Sequence, residues 1–326
     1  LEHNLGQIIY KDRTVRVDSF PMGIDYNKYA LAANKISVQK EIAKYSEMTE
    51  GRKIILSIDR LDYAKGILQR LEAFHQFLDE NESIKKQVSL ILLVVPSRSK
   101  VESYKALKHQ VDELVGKING EHGSMGWTPV WYFYRAVPFA SLSALYNISD
   151  ICLVTSFRDG MNLVAKEYVA SKTNKNGVLI LSELAGAASE MTEALMINPN
   201  NLDEIKEAIH QALEMPEDEQ VHRIAAMNEK LKRYNVNRWA EDFLDRLEQI
   251  KTTQNDLELN RLKSQTKSAI ISKYSNSAKK LLLLDYDGTL VGFAPSPELA
   301  TPDTEILAVL DRLATTDGTK VVVISG

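Results

Sequence analysis

Cysteine is almost absent from this sequence of 326 residues, which contains only Cys152. A single cysteine cannot form a disulfide within the chain, and the apolar run around it predicts a small, buried side chain. This cysteine and the six histidines do not show the spacing of a metal site along the sequence. No apolar run reaches the roughly 18 residues that a membrane-spanning helix needs. The sequence therefore carries no signal for a disulfide-stabilised fold, a zinc-binding fold or a membrane protein.

A strong excess of charge of one sign is also absent. Lysine and arginine total 40, aspartate and glutamate total 44, and the formal net charge is −4. This balance predicts no nucleic-acid partner and no binding to an anionic membrane, so any phosphate site must be built locally. The glycines form neither a G-x-G-x-x-G fingerprint nor a Walker A loop, which leaves the dinucleotide-binding and P-loop classes without support. Hydrophobic residues at 44% and charged residues at 26% are typical of a globular protein.

Both ends of the sequence lack the features of a natural terminus. Residues 1–4 contain no initiator methionine and begin no signal-peptide pattern, and residues 321–326 stop within an apolar element. We therefore expect the sequence to be a fragment of a longer chain.

Short apolar runs alternate with helical patterns along the first 250 residues. Strands are predicted at 16–20, 53–58, 88–95, 130–134, 151–155 and 178–181. Helical spacing fills the intervals between the last five strands, and a largely helical stretch with a break near 234–237 follows them. This alternation predicts an α/β fold with a parallel, doubly wound sheet.

The stretch 150–170 predicts a strand, a tight loop and a helix in direct succession. The apolar run 151–155 has the length of a buried parallel strand, Asp159 lies in the polar loop, and helical spacing begins at Leu163. Anionic ligands bind where a parallel strand ends and the next helix begins. Asp159 therefore belongs either to such a site or only to a helix cap.

Cationic side chains follow two other predicted strands. Arg60 and Lys65 come after the strand 53–58, and Arg98 comes after the strand 88–95. Because parallel strands end at the same sheet edge, these cations are predicted to converge on one cleft. Two cations beside a helix N-terminus suit a diphosphate, since arginine offers bidentate contacts and lysine a point charge. The alternative is that each is a solvated loop charge.

Four motifs within the first 250 residues are specific in combination. They are Arg60-Leu61-Asp62-Tyr63-Ala64-Lys65-Gly66, Val95-Pro96-Ser97-Arg98, Trp127-Thr128-Pro129 and Arg158-Asp159-Gly160-Met161-Asn162-Leu163-Val164-Ala165-Lys166-Glu167-Tyr168. With these motifs the chain resembles the trehalose-6-phosphate synthases, retaining glucosyltransferases of glycosyltransferase family 20 with the two-domain GT-B fold. The resemblance implies transfer of glucose from a nucleotide donor, usually UDP-glucose, to glucose 6-phosphate, with front-face departure and attack and no cofactor.

The resemblance also implies a role for each matching residue. Arg60 and Lys65 would bind the donor diphosphate and stabilise the leaving UDP, Asp159 would hold the donor glucose, and these three would be catalytic. Glu167 would bind the ribose hydroxyls, and Arg98 would contact the acceptor phosphate. The other implied donor-site residues are Met161, Asn162, Leu163, Val164 and Val137, through their main chains, together with Ala165 and Lys166.

A second resemblance begins after residues 251–278, a polar stretch that predicts a linker or an exposed helix. The apolar run 281–284 predicts a new strand, and Asp285-Tyr286-Asp287-Gly288-Thr289-Leu290 follows it at once. This motif resembles the first motif of haloacid-dehalogenase-type (HAD-like) phosphatases, and 321–326 resembles the second. It implies Asp285 as nucleophile and Asp287 as general acid/base, with Mg²⁺ held by both. The alternative is a non-catalytic remnant.

These resemblances imply an order of domains along the chain. Residues 1–20 would be the tail of a missing N-terminal GT-B domain, 21–250 the donor domain with a C-terminal crossing helix, 251–278 a linker, and 279–326 the start of a HAD-like domain. The implied protein is a cytoplasmic synthase fused to a trehalose-6-phosphate phosphatase, with small-molecule substrates, no nucleic-acid or membrane partner, and homo-oligomerisation left open. Two other functions stay open: a sugar-phosphate sensor without turnover, and a phosphatase with the synthase part as a scaffold.

Overall fold

The computed structural model describes residues 6–10, 13–98, 100–174, 176–260, 264–292 and 297–325. Contacts within the chain divide it into two compact units, Leu1–Leu247 and Glu248–Gly326. Among the described residues, no helix has the length and apolar composition needed to cross a bilayer. Each unit contains its own parallel sheet.

Strands and helices alternate along most of the described chain. The strands are β1 (Gln7–Tyr10), β2 (Arg13–Arg16), β3 (Lys53–Arg60), β4 (Val88–Val95), β5 (Val130–Tyr134), β6 (Ile151–Val154), β7 (Val178–Ser182), β8 (Leu195–Ile197), β9 (Lys280–Asp285) and β10 (Thr319–Ile324). The helices are α1 (Tyr26–Ala30), α2 (Ile36–Thr49), α3 (Ile67–Glu80), α4 (Glu102–His122), α5 (Phe139–Ile148), α6 (Leu163–Ser171), α7 (Leu202–Glu214), α8 (Glu217–Arg233), α9 (Val236–Asn260), α10 (Ser264–Asn276) and α11 (Thr304–Ala314).

The first unit is built on a six-stranded sheet in the order β5-β4-β3-β6-β7-β8. Every neighbouring pair in this sheet runs parallel. The strand order reverses between β3 and β6, since β4 and β5 follow on one side and β7 and β8 on the other. In open α/β sheets, ligands bind outside the carboxyl ends of the strands at such a switch point. The prediction of a parallel, doubly wound sheet is confirmed.

Two hydrophobic layers cover the two faces of this sheet. Because successive residues of a strand point to opposite faces, Ile55 belongs to one layer while Ile54 and Leu56 belong to the other. The first layer includes side chains of α3, α4 and α7, and the second includes side chains of α5, α6 and α8. With both faces covered, β3 is buried at every position between its two ends.

The short elements near the N-terminus differ from the prediction. The strand predicted at 16–20 is wrong, because the strand lies at Arg13–Arg16, where β2 pairs antiparallel with β1. The pairing ends with a hydrogen bond from the Val17 N–H to the Gly6 carbonyl, at 2.7 Å. The five-residue α1 and the three-residue β8 were not predicted, since neither is long enough to show a hydrophobic period.

The helical stretch after β8 follows the prediction more closely. The predicted break near 234–237 is confirmed, since α8 ends at Arg233 and α9 begins at Val236. The start of α9 packs on the segment before α1. Here Trp239 Nε1 donates to the Phe20 carbonyl at 3.1 Å, and the Phe20 and Phe243 rings meet edge to face. The polar stretch 251–278 contains the end of α9 and the whole of α10, so the helix alternative holds for these residues.

The second unit contains the parallel pair β9 and β10, with α11 between them in sequence. Asp285 at the end of β9 lies opposite Ile324 at the end of β10. The side chain of Asp303 accepts the Ile306 N–H at 2.8 Å and thereby caps α11. Asp285 is thus the last residue of a strand and Asp287 follows it, close to the sequence prediction of two acids directly after a strand.

Candidate active site

Three of the predicted donor-site residues, Arg60, Lys65 and Asp159, lie at the switch point between β3 and β6. Arg60 is the last residue of β3, and Lys65 lies in the loop that follows it. Asp159 lies in the loop after β6, just before α6. The carboxyl end of β4 adjoins the end of β3, with Arg60 opposite Val95. The arrangement therefore sets two helix N-termini, those of α3 and α6, beside each other at one sheet edge.

The loop after β3 is shaped by a local cap and by one glycine. The side chain of Asp62 accepts the Ala64 N–H at 3.1 Å, which stabilises a 3₁₀ turn over Tyr63–Lys65. Gly66 then begins α3 with a φ of +62°, and a Cβ at this position would collide with the Thr155 carbonyl oxygen. Only glycine allows the N-terminus of α3 to approach the end of β6 this closely.

The loop after β6 is folded around the carboxylate of Asp159. Its Oδ1 accepts the Met161 N–H at 3.3 Å, and its Oδ2 accepts Asn162 Nδ2 at 3.1 Å. Asn162 takes a left-handed conformation with φ at +66°, which asparagine tolerates better than most residues. Its side chain accepts the Ala165 N–H at 3.0 Å and caps α6. Asp159 thus shapes the loop, while Asn162 is the residue that caps the helix.

A third loop supports the Asp159 loop from behind, and no sequence motif predicted it. The Gly186 N–H donates to the Asp159 carbonyl at 2.8 Å, and the Ala187 N–H donates to the Met161 carbonyl at 2.7 Å. A Cβ on Gly186 would collide with the Gly160 carbonyl oxygen. The only signal in the sequence was the run of small residues after the strand of β7.

Lys65 and Asp159 form an ion pair across the switch point. Lys65 Nζ lies 2.5 Å from Asp159 Oδ2, and each side chain is 14% exposed. Burial alone would raise the pKa of Asp159. The hydrogen bond and charge of Lys65, with the bonds from Met161 and Asn162, outweigh it and hold that pKa below its usual value. Asp159 is therefore a carboxylate at neutral pH, and the Lys65 ammonium is held at the sheet edge.

Beneath this pair lies a buried arginine that sequence reasoning missed. The Arg70 side chain is fully buried, and its guanidinium bonds to Asp59 Oδ2 at 2.8 Å, to Thr155 Oγ1 at 3.0 Å and to Ser57 Oγ. It also donates to the Lys65 carbonyl at 3.1 Å. The signal was a charged residue within the apolar stripe of α3, a position that arginine rarely occupies without partners.

Asp59 connects the buried arginine to the exposed edge of the site. Its Oδ1 lies 4.0 Å from Lys65 Nζ, while its Oδ2 is bonded to Arg70. Burial raises the pKa of Asp59, and the charges of Arg70 and Lys65 oppose that rise. The four side chains Arg70, Asp59, Lys65 and Asp159 thus alternate in charge from the core to the surface.

The two arginines predicted at the strand ends differ in their surroundings. Arg60 is exposed, and its guanidinium has no hydrogen bond or ion pair within the described part of the chain. Arg98 has a φ of +46°, and its guanidinium donates to Tyr104 Oη at 2.6 Å while lying over the ring. Tyr104 Oη in turn donates to Asp62 Oδ2 at 3.3 Å, which joins the loop after β4 to the loop after β3.

Glu167 has protein partners at both carboxylate oxygens. Oε1 accepts the Tyr29 hydroxyl at 2.8 Å, and Oε2 accepts the Tyr146 hydroxyl at 2.7 Å. Burial, followed by the charge of Glu167, raises the pKa of both tyrosines, so each remains a hydroxyl donor. A carboxylate has about four acceptor positions, and half-buried Glu167 retains acceptor capacity beyond these two bonds.

The remaining predicted donor-site side chains serve the packing of the first unit. Lys166 is 1% exposed, and its Nζ bonds to the Met22 carbonyl at 2.9 Å and to Glu190 at 2.6 Å. Ala165 is fully buried, and Leu163 and Val164 pack on the second hydrophobic layer. Val137 lies between β5 and α5 and lines an apolar cavity of about 150 Å³. A ligand at α6 would therefore meet main-chain atoms of these helix residues.

In the second unit, Asp285 and Asp287 lie at the exposed end of β9. Thr289 Oγ1 donates to Asp285 Oδ2 at 3.0 Å, and Ser325 Oγ donates to Asp287 Oδ2 at 3.0 Å. Tyr286 lies between the two acids, and its N–H donates to the Ile324 carbonyl at 2.8 Å, which ties this turn to the end of β10. Mg²⁺ is commonly held by one or two carboxylates together with water and a substrate phosphate, and this donor set fits that requirement.

Comparisons with known proteins agree with this geometry. The sequence model of Glycosyltransferase family 20 matches residues 1–249. A bifunctional trehalose-6-phosphate synthase/phosphatase from Thermoproteus tenax is 47% identical over 324 residues, which cover 99% of this chain and 44% of that protein.

Two solved structures show the same fold at lower identity. An α,α-trehalose-phosphate synthase (UDP-forming) from Burkholderia xenovorans, in complex with glucose-6-phosphate, has 35% identity and a TM-score of 0.72 over 74% of this chain and 54% of its own. The Escherichia coli trehalose-6-phosphate structure bound with UDP-2-fluoro glucose has 34% identity and a TM-score of 0.73 over 76% of this chain and 55% of its own. The chain thus spans about half the length of the proteins it matches.

Replacing Lys65 with methionine tests the electrostatic account of Asp159. Because the pKa of Asp159 is held below its usual 3.8, its ionisation stabilises the fold at higher pH, and this contribution is lost as the pH falls through the lowered pKa. Without Lys65, the largest contributions that oppose burial are lost and the bonds from Met161 and Asn162 remain, so the pKa of Asp159 should rise. Lys65→Met should therefore lower the free energy of unfolding at pH 7, and the deficit should narrow towards pH 4. Urea denaturation across this range measures it.

Lys53→Met is the matched control, because Lys53 also pairs with an aspartate. Its Nζ lies 2.8 Å from Asp150 Oδ1, but the Lys53 side chain is 53% exposed. Such a pair contributes about 0–1 kcal/mol, so its loss should change the free energy of unfolding little at any pH. The account would be contradicted if Lys65→Met lowered the free energy of unfolding as little as the control does, or if its effect did not change with pH.

Proposed function

This chain belongs to glycosyltransferase family 20, and on that premise we propose that it transfers glucose from UDP-glucose to glucose 6-phosphate with retention of configuration. The product is trehalose 6-phosphate, and UDP leaves. The observation that carries the proposal is the Lys65–Asp159 pair between two helix N-termini at the switch point. The Lys65 ammonium, which suits a diphosphate, lies there next to the Asp159 carboxylate, which suits sugar hydroxyls.

The donor diphosphate is proposed to bind between the N-termini of α3 and α6. The first N–H groups of a helix have no partner within the helix and carry partial positive charge, which favours an anion. Arg60 has an exposed guanidinium without a partner among the described residues, and Lys65 supplies an ammonium from the adjoining loop. When the bond from glucose C1 to the phosphate oxygen breaks, the electron pair leaves on UDP. These positive groups stabilise that charge.

Lys65 changes partner in this proposal. In the structure its ammonium is bonded to Asp159, and a bound diphosphate offers it a stronger concentration of negative charge. The Asp159 carboxylate keeps its bonds from Met161 and Asn162 and turns its freed acceptor capacity to the hydroxyls of the donor glucose. The main chain of these two residues lies in the same loop and completes the proposed sugar site.

Glu167 is proposed to accept the ribose hydroxyls of the donor. It lies one helical turn beyond Leu163 on α6, and its carboxylate is oriented by Tyr29 and Tyr146. These tyrosines leave free acceptor positions on each oxygen. The main chains of α6 and of Val137 are proposed to complete the nucleotide contacts, because the side chains of Ala165 and Lys166 are buried in the fold.

The acceptor phosphate is proposed to meet Arg98. Its guanidinium is exposed and is held over the Tyr104 ring at the end of β4, the strand next to β3. Arginine binds phosphate through two parallel hydrogen bonds, which its bond to Tyr104 leaves available. The donor and acceptor phosphates would then bind at neighbouring strand ends.

The decisive experiment measures UDP release that depends on glucose 6-phosphate, in the protein that carries this chain. Arg60→Ala and Lys65→Ala should lower kcat/KM for UDP-glucose by roughly 10- to 150-fold, because a charge-assisted bond contributes about 1.5–3 kcal/mol. Arg98→Ala should mainly raise the KM for glucose 6-phosphate, since it is assigned to the acceptor. The measurement is steady-state kinetics with each substrate varied in turn.

Arg233→Ala is the control, because Arg233 is an exposed arginine near the end of α8 without a partner among the described residues. It should leave both KM values unchanged. Absence of UDP release by the unmodified protein would refute the synthase proposal. Equal effects of the Arg60, Lys65 and Arg98 variants on the UDP-glucose KM would show instead that Arg98 serves the donor.

We infer a second activity for the second unit, the hydrolysis of the phosphate ester of trehalose 6-phosphate. The observation that favours it is the pair of exposed carboxylates, Asp285 and Asp287, fixed at the end of β9. The bifunctional relative supports the same inference. Asp285 is the proposed nucleophile and Asp287 the proposed acid and base. Mg²⁺ held by both would neutralise charge on the phosphoryl group.

Replacing Asp285 with asparagine tests this second activity. Phosphate release from trehalose 6-phosphate in the presence of Mg²⁺ should be abolished, because an amide cannot attack phosphorus. UDP release by the same variant should remain. Asp311→Asn, which changes an exposed acid on α11, should leave both activities unchanged. Phosphate release that survives Asp285→Asn would contradict the assignment.

A further inference from the structure

A cluster of two histidines and two carboxylates lies at the edge of the sheet opposite the active site. His75 and Asp79 lie one turn apart on the last half of α3, and Glu121 and His122 end α4. Since α3 begins at the carboxyl edge of the sheet and leads back to the start of β4, its last turns lie at the amino edge. The proposed reaction uses none of these four residues.

The ligand atoms of His75, Asp79 and His122 lie close together, and Glu121 adjoins this group through His75. His122 Nε2 lies 3.5 Å from Asp79 Oδ1, and His75 Nε2 lies 4.0 Å from Asp79 Oδ2. His75 Nε2 also lies 2.7 Å from Glu121 Oε2. One ligand atom from each of His75, Asp79 and His122 can be chosen so that all three atoms lie within 4.8 Å of one another. Ligands of a tetrahedral zinc ion lie about 3.3 Å apart, so each of these three ligand atoms would need to move by about 1 Å to bind one ion.

One atom of this cluster is buried without a hydrogen-bond partner in the described part of the chain, although it lies 3.5 Å from a carboxylate oxygen of Asp79. The His122 side chain is 6% exposed, and its Nε2 has no hydrogen-bond partner among the described residues. Buried polar atoms are normally bonded, so this nitrogen requires an explanation. Imidazole nitrogen is the commonest metal ligand in proteins, and a metal ion at Nε2 would supply the missing partner.

The charges around the cluster favour a cation. The carboxylates of Asp79 and Glu121 bring two negative charges to the cluster. Lys85 is the nearby positive group that acts on His122, and its ammonium is paired with Glu82. A divalent cation would therefore neutralise the two carboxylates, and Lys85 would repel it little because its charge is already paired with Glu82.

We propose that His75, Asp79 and His122 bind a divalent transition-metal ion of the zinc class, with Glu121 as the fourth ligand. Imidazole nitrogens select Zn²⁺ and its neighbours over Mg²⁺ and Ca²⁺, which prefer oxygen ligands. Four protein ligands make a closed, structural site, which would tie the end of α4 to α3. The spacing of the histidines along the sequence gives no sign of it, because His75 and His122 are 47 positions apart.

Calorimetric titration with ZnCl₂ tests the proposal, on the chain without an affinity tag and after treatment with a chelator. The unmodified chain should bind one equivalent with saturation. His122→Ala and Asp79→Asn should each weaken this binding by roughly tenfold or more. Mutation of a residue that merely orients a metal ligand already lowers metal affinity by about 10- to 100-fold, and loss of the ligand itself should cost at least as much. Co²⁺ in place of Zn²⁺ should produce the visible absorption of a tetrahedral site in the unmodified chain and lose it in both variants.

His109→Ala is the matched control, because His109 is 82% exposed and its ion-pair partner is Glu113 on the same helix. It should bind Zn²⁺ as the unmodified chain does. Asp79 is 59% exposed, so Asp79→Asn keeps the test informative if His122→Ala fails to fold. The proposal is overturned if the unmodified chain takes up no stoichiometric Zn²⁺, or if folded Asp79→Asn binds Zn²⁺ as tightly as the control.

Discussion

The buried pair of Arg70 and Asp59 is the interaction on which the active site depends. Arg70 holds the β3 side chains of Ser57 and Asp59, the Thr155 hydroxyl beyond β6 and the Lys65 carbonyl at once. It thereby fixes the separation of the two strands that flank the switch point. Removing one member of a buried ion pair costs about 3–5 kcal/mol, because the other is left without compensation. The loops that carry the proposed chemistry are anchored to this pair.

Above this pair, Asp159 holds the Lys65 ammonium at the place where the donor diphosphate is proposed to bind. Lys65 and Asp159 neutralise each other in a partly buried position, where an unpaired charge would be costly. In the proposed function, an incoming diphosphate would replace one carboxylate with several phosphate oxygens and would lie between the two helix N-termini. The site is therefore arranged before the donor binds, and a change of partner by Lys65 requires little reorganisation.

The sequence allows the fold and the edge of the active site to be predicted, because both rest on local patterns. Apolar runs of strand length alternate with helical spacing, and the charged residues Arg60, Lys65 and Asp159 directly follow such runs. What lay beyond prediction depends on contacts between distant residues. Tyr29 reaches Glu167 across 138 positions, and Arg70 finds partners only after β3 and β6 have come together.

The failures of prediction have physical causes of the same kind. The strand at 16–20 was misplaced because pairing with β1, and not propensity, decides where β2 lies. Gly186 was overlooked because its need for glycine arises from the close approach of another loop. Lys166 stands in the motif beside Glu167, yet its side chain turns into the fold towards Glu190. A motif specifies which residues are present, while packing decides which of them face the ligand.

The central claim is that the switch point between β3 and β6 binds the donor diphosphate, and a crystal structure of the protein with UDP-glucose tests it most directly. The account predicts the diphosphate between the N-termini of α3 and α6, with Lys65 bonded to phosphate instead of Asp159. It also predicts the ribose hydroxyls at Glu167, with both tyrosine bonds retained. A nucleotide bound elsewhere, or one bound here with the Lys65–Asp159 pair intact and no phosphate contact from Arg60, would contradict the account.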